Sequence, residues 1–282
     1  MQILLNTILI EPNRWAPDKT PQRPLSEHLP DLQRAGFHAL EIWQYHVSTL
    51  DARGLTNLST HLDACALKPI AIGAYPFLHL DGPEGDEAMV HLGRTVAYAA
   101  HLQSEIFKIF PGRVASQQLD AAARARSVEH VRLLAQQLAE RSMLLTLETH
   151  ANTLCDTEES TLQLLEELSP CENVGLCFQP YTEGDTDAAI RMYDALRPHI
   201  RHVHLQNRLR DDGSVTLLEE GNWIDYRRLL PHIRDSGFDG PLCLEFTADM
   251  ATPDTPNADP RRVLENAARD RDFTLEVWSS QS

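Results

Sequence analysis

Apolar and polar positions follow two periods along this chain, and the two periods alternate from one end to the other. Short runs near residues 2–8, 38–43, 69–75, 105–110, 143–148, 173–179, 200–206 and 241–246 have strand character. Between them, segments near 25–36, 55–66, 84–102, 117–141, 157–168, 185–197 and 225–236 carry apolar residues at helical spacing, and a last helix fits 260–271. Capping acceptors stand where helices should start: Asp156/Thr157 before Glu158, Asp185 before Asp187, and Asp225 before Tyr226. Eight strand–helix units without a Ser/Gly-rich linker predict an α/β fold, a single (β/α)8 TIM barrel, with residues 1–282 forming one domain.

Four strands of the second half add chemistry to this pattern. In LLTLE, VGLCFQ, HVHLQ and LCLEF one face is apolar: Leu145 and Leu147, Leu176 and Phe178, Val203 and Leu205, Leu242 and Leu244. The opposite face carries Glu148, Gln179, His204 and Glu245 at or near the strand ends. Consecutive parallel strands of a closed barrel should bring these four to one mouth. Two inward carboxylates are costly to bury without a cation, and an imidazole that remains a neutral ligand does not neutralise both. A single divalent ion (Mn²⁺, Co²⁺, Mg²⁺ or Zn²⁺) held by Glu148, Gln179, His204 and Glu245 accounts for all of them. The alternative is a metal-free hydrogen-bond network in which Glu245 or Glu148 pairs with an arginine.

Other inward or mouth-facing positions are candidate substrate contacts. Glu41 and Lys108 would form a structural pair or, for the lysine, bind a substrate oxygen or phosphate. His150, two residues past Glu148, is a candidate acid/base group, and Trp15 could join Trp43 and Tyr75 in an apolar wall for a sugar ring. Arg210 and Arg208, just beyond His204, are candidate anion or hydroxyl binders. His202 reads as a packed core histidine. Asp212-Gly213 signals a hairpin turn, and the proline-bearing segment 248–260 could serve as a lid over the mouth.

Composition narrows the field. The net charge of −16 argues against a nucleic-acid or anionic-membrane binder. Five cysteines without a C-x-x-C pair, two of them inside strand patterns, read as small buried hydrophobes in a reducing cytoplasm. The opening MQILLNTILIEPNRW lacks a basic n-region and reads as a first strand. There is no P-loop, no G-x-S-x-G and no dinucleotide fingerprint. A small-molecule partner is expected, with neither nucleic acid nor membrane, and a homo-oligomer is possible.

The segments LTLETHANTLCDTEE, HVHLQNR and EEGNWIDYRRLLPHIRDSGFDGPLCLE, with FKIFPGR earlier, resemble the xylose isomerase-like TIM barrels, the sugar phosphate isomerase/epimerase superfamily. The resemblance implies a Glu, Asp, His, Glu metal set at the ends of strands five to eight, and so places metal roles on Glu148, Gln179, His204 and Glu245. Gln179 departs from the usual aspartate, Thr182 from a histidine three residues on, and Asn207 from an aspartate after the strand-seven histidine. A neutral amide should weaken the hold on a hard dication without abolishing it. The implied activity is isomerisation or epimerisation of a sugar or sugar derivative through an enediolate, with Glu148 and Glu245 as catalytic base and acid. A dehydratase starting from the same proton abstraction is the enzymatic alternative. A sugar-binding barrel with a degenerate metal site is the non-catalytic one. The missing histidine and aspartate count against the DNA-repair endonuclease branch.

Overall fold

The computed structural model describes residues 1–181, 183–253 and 255–280. Thr182, one of the departures noted above, lies outside them. Eight parallel strands carry the fold: β1 (Ile3–Asn6), β2 (Ala39–Trp43), β3 (Lys68–Ala74), β4 (Ile106–Ile109), β5 (Leu144–Glu148), β6 (Val174–Phe178), β7 (Ile200–Leu205) and β10 (Leu242–Leu244). They close into a barrel in the order β1-β10-β7-β6-β5-β4-β3-β2, and a two-stranded hairpin, β8 (Asn207–Arg208) with β9 (Val215–Thr216), stands apart. The (β/α)8 expectation therefore holds. The helices are α1 (Leu25–Arg34), α2 (Tyr45–Ser48), α3 (Ala52–Ala64), α4 (Gly82–His101), α5 (Ala121–Ala139), α6 (Glu158–Glu167), α7 (Thr186–Leu196), α8 (Tyr226–Asp235) and α9 (Pro260–Ser279).

Packing divides the chain into two compact units: Met1–Ile70 with Gly184–Ile190 and Val203–Ser282, and Ala71–Glu183 with Arg191–His202. In the first, β1 is flanked by β10 and β2, with Leu4 opposite Cys243 and Asn6 opposite Glu41, and β10 pairs with β7 so that Cys243 faces His204. In the second, Lys108 stands opposite Thr146 and Glu148 opposite Cys177. The apolar residues read from alternation, Leu145, Leu147, Leu176, Phe178, Val203, Leu205, Leu242 and Leu244, are all buried. The polar ones on the other face, among them Asn6, Glu41, Lys108, Glu148, His202 and His204, are buried as well.

Local chemistry explains the boundaries. Thr157 accepts from Ser160 N, Asp185 from Ala188 N and Asp225 from Arg227 N, as the capping pattern predicts. The first strand stops at Asn6, short of the expected residue 8, because the Asn6 side chain accepts from Ile8 N and starts a 3-10 turn over Thr7–Ile10. The last helix runs eight residues past its expected end, to Ser279, since Val263, Ala267, Asp270, Phe273, Thr274 and Val277 continue one buried face. The hairpin signal at Asp212-Gly213 holds: Gly213 takes φ +71° and Asp212 Oδ1 accepts from Ser214 N. In the loop after β10, Met250 and Ala251 are buried and the Ala251 carbonyl accepts from Arg14 and Trp15. All five cysteines are free thiols, three of them buried. Among the described residues no helix is long and apolar enough to cross a membrane.

Candidate metal and catalytic centre

In the first unit the site is built around His204. Its Nε2 lies 2.9 Å from Glu41 Oε2, while Asn6 Nδ2 donates to Glu41 Oε1 at 2.9 Å. An imidazole that donates from Nε2 to a carboxylate keeps its Nδ1 lone pair for an ion. Nδ1 is 3.5 Å from Glu245 Oε2. Two ligands each about 2.1 Å from one divalent ion stand roughly 3.0–3.4 Å apart, so this pair would close slightly on an ion held between them. Ligand atoms of Glu41, His204 and Cys243 also lie within 4.8 Å of one another, as do those of His204 and Glu245.

Behind Glu245 a polar chain runs into the hairpin. Gln206 Nε2 donates to Glu245 Oε2 at 3.0 Å, and Gln206 Oε1 accepts from Arg208 at 3.0 Å. The Gln206 backbone is fixed by Tyr226, whose hydroxyl donates to Gln206 O at 2.7 Å and lies 3.2 Å from Gln206 N. Burial pushes the Tyr226 phenol well up, keeping it a donor. Asn207 holds the following loop: its amide donates to Leu218 O and Ile224 O and its oxygen accepts from Ile224 N. Gly221 is required beside it, because a Cβ there would come within 2.6 Å of three Asn207 side-chain atoms. An aspartate at 207 lacks those two donors, which gives the departure from the family pattern a structural reason.

In the second unit Lys108 Nζ lies 2.6 Å from Glu148 Oε2, both fully buried. The ammonium also sits over the rings of Tyr75, at 4.7 Å, and Phe110, at 5.2 Å. His150 stacks on the far partner of this group, 4.3 Å from the Phe110 ring, with Nδ1 2.7 Å from Ala151 O. Gln179 is held by its backbone, whose N and O both bond Thr149 Oγ1 at 2.8 Å. Its side-chain carbonyl Oε1 is buried with no hydrogen-bond partner among the described residues. A buried, unmatched acceptor costs ~1–3 kcal/mol, and a cation is a chemically suitable partner. The donor set of carboxylate, imidazole and amide oxygen thus fits a divalent ion of intermediate hardness.

Other expected contacts land elsewhere. Arg210 is exposed, and its guanidinium is taken up by the carbonyls of Asn222, Trp223 and Gly184. Glu41 stands behind the imidazole as its orienting partner. Trp15 is 52% exposed, with Nε1 on Ala251 O and the Arg14 guanidinium over its ring. Trp43 is core, packed against Tyr45 and His46, so it does not serve in a stacking wall. Gln206 was missed as a site residue, although it follows His202 and His204 on the same strand face. Asp270, which braces Thr247 and Leu218 from α9, gave no signal beyond its place on that helix's buried face.

The fold and these side chains define a class. A family model described as xylose isomerase-like TIM barrel matches residues 29–269, and the chain belongs to that family. A 3-dehydroshikimate dehydratase from Bacillus anthracis is 27% identical over 175 residues, 61% of this chain and 62% of the relative, so the match spans less than two thirds of that protein. Among solved structures, D-psicose 3-epimerase from Clostridium cellulolyticum H10 with D-tagatose superposes with a TM-score of 0.79 at 15% identity, covering 99% of this chain and 100% of that one. A xylose isomerase-like TIM barrel protein from Mycobacterium smegmatis in complex with magnesium gives 0.72 at 18%, covering 99% and 96%. At these identities the two structures establish the fold.

Proposed function

We propose that this chain is a divalent-metal-dependent lyase that removes water from a hydroxylated carbonyl compound. The observation that carries the metal is His204, turned by Glu41 so that Nδ1 stands beside Glu245. His204 and Glu245, on or just past the paired strands β7 and β10, would hold one ion, with Glu148 and Gln179 expected as its further ligands. Bound there, the ion would polarise the carbonyl and lower the cost of charge on its oxygen.

The chain's own groups would do the rest. Glu245 takes a proton from the carbon beside the carbonyl, and the C–H electron pair enters the new double bond. The C–O bond one carbon further on breaks, and the departing hydroxyl takes a proton from His150, leaving as water. Phe110 holds that imidazole flat, and Lys108 is paired to Glu148. Sequence similarity to a dehydratase supports elimination as the outcome.

Incubation of the Mn²⁺- or Mg²⁺-loaded protein with 3-dehydroshikimate in deuterated water tests this. Elimination gives loss of substrate with growth of a conjugated chromophore. Deuterium entering recovered substrate without loss of water would overturn elimination and favour the epimerase outcome, with Glu148 returning the proton on the opposite face. Neither change, with this substrate or with ketohexoses, would favour a binding barrel.

A further inference from the structure

We propose that Arg208 is the specificity-determining residue of this site and binds a carboxylate on the substrate. This rests on the lyase reading above and adds the charge of the molecule that enters. Arg208 is half-buried, yet among the described residues no carboxylate lies within ion-pair distance of it. Two other arginines of this unit are held differently: Arg210 is bonded to backbone carbonyls, and Arg14 is buried on Ala251 O.

Its existing contacts hold the plane in position and leave capacity. One terminal nitrogen donates to Gln206 Oε1 at 3.0 Å, the other to Gly213 O at 3.2 Å, and the plane lies 5.9 Å from the Phe246 ring. Nε is buried with no hydrogen-bond partner among the described residues. The two terminal nitrogens each carry a second proton, so two N–H groups remain for an incoming acceptor. Burial lowers the Arg208 pKa, with Glu245 opposing that shift, so an incoming anion would relieve the desolvation. The Arg14 guanidinium, 4.9 Å from the same Phe246 ring, makes the surroundings more positive. Through Gln206, Arg208 is one amide away from Glu245. An anion held there is therefore positioned relative to the proposed base.

A single fork of this kind matches a planar carboxylate in shape and charge. The neutral ketose of an epimerase would leave Arg208 without a partner. The acid of a dehydroshikimate-type lyase would fill it.

The test is calorimetric binding to the full-length metal-loaded protein. It uses 3,4-dihydroxybenzoate, the compound that loss of water from 3-dehydroshikimate gives, and catechol, which lacks only its carboxylate. Wild type should bind the carboxylate at least tenfold more tightly, and Arg208→Gln should erase that preference while leaving catechol unchanged. Arg208→Lys, which keeps the charge but loses the fork, should retain part of it, and thermal melts should show both variants folded. No preference in wild type, or equal weakening of both probes in Arg208→Gln, would overturn the assignment. Inorganic phosphate displacing the carboxylate at lower concentration would also overturn it, in favour of a phosphorylated ligand. Turnover is read separately. A preference erased by Arg208→Gln in a protein that does not dehydrate 3-dehydroshikimate leaves this proposal standing and removes the lyase reading.

Discussion

Glu41 and His204 meet at 2.9 Å through Oε2 and Nε2, and this contact decides which imidazole nitrogen faces Glu245. Outer partners of metal-binding histidines fix tautomer and orientation, and their loss typically costs about 10–100-fold in metal affinity. Glu41→Ala is therefore expected to weaken binding of Mn²⁺ or Co²⁺ by that factor, measured by competition with a fluorescent chelator. Unchanged affinity would show that the imidazole orients itself.

In the proposed site Gln179 would bring a neutral oxygen in place of a charged carboxylate. Gln179→Asp should tighten binding of a hard dication at least tenfold, and Gln179→Leu should weaken it, by the same competition assay. If the aspartate variant binds no better, Gln179 does not approach the ion.

Lys108 and Glu148 are both fully buried, so removing one partner strands the other. Lys108→Met should cost about 3–5 kcal/mol in denaturant unfolding, and Lys108→Met with Glu148→Leu should cost less than the single change. A single variant as stable as wild type would contradict the pairing.

Asp270 reports on pH. Burial raises its carboxyl pKa from 3.8 to about 7, against the hydrogen bonds from Thr247 and Leu218 N. The folded state thus binds this proton more tightly than the unfolded chain does. Its stabilising share is present below about pH 4, is lost as pH rises towards 7, and stays lost above. Relative to Asp270→Asn, wild type should lose stability at up to about 1.4 kcal/mol per pH unit across that window. Urea melts at pH 4.5, 6 and 8 would show it, and a constant difference between the two proteins would refute it.

The barrel was legible because two periods suffice for it: alternation placed Leu145, Leu147, Leu176 and Phe178 in the core and set Glu148, His204 and Glu245 on the other face. Which polar groups meet was not legible. Alternation says that Glu41 and Lys108 point inward, but their partners depend on register and side-chain reach across strands distant in sequence. Glu41 meets His204 across 163 positions and Lys108 meets Glu148 across 40. Loops hid the most. Nothing local distinguishes Arg208 from Arg210, and only the folded hairpin shows Arg210 bonded to Asn222 and Arg208 turned towards Gln206. Asn207 looked like a lost aspartate. Its four hydrogen bonds become apparent once Leu218 and Ile224 fold back over it.

Metal content per chain tests the central claim most directly, by mass spectrometry on protein purified without chelator or nickel and after soaking in Mn²⁺, Co²⁺, Mg²⁺ and Zn²⁺. The site built on His204 and Glu245 predicts close to one ion per chain, lost in Glu245→Gln. A value near zero after soaking, in a protein that melts cooperatively, would contradict it and leave a barrel that binds its ligand without a metal.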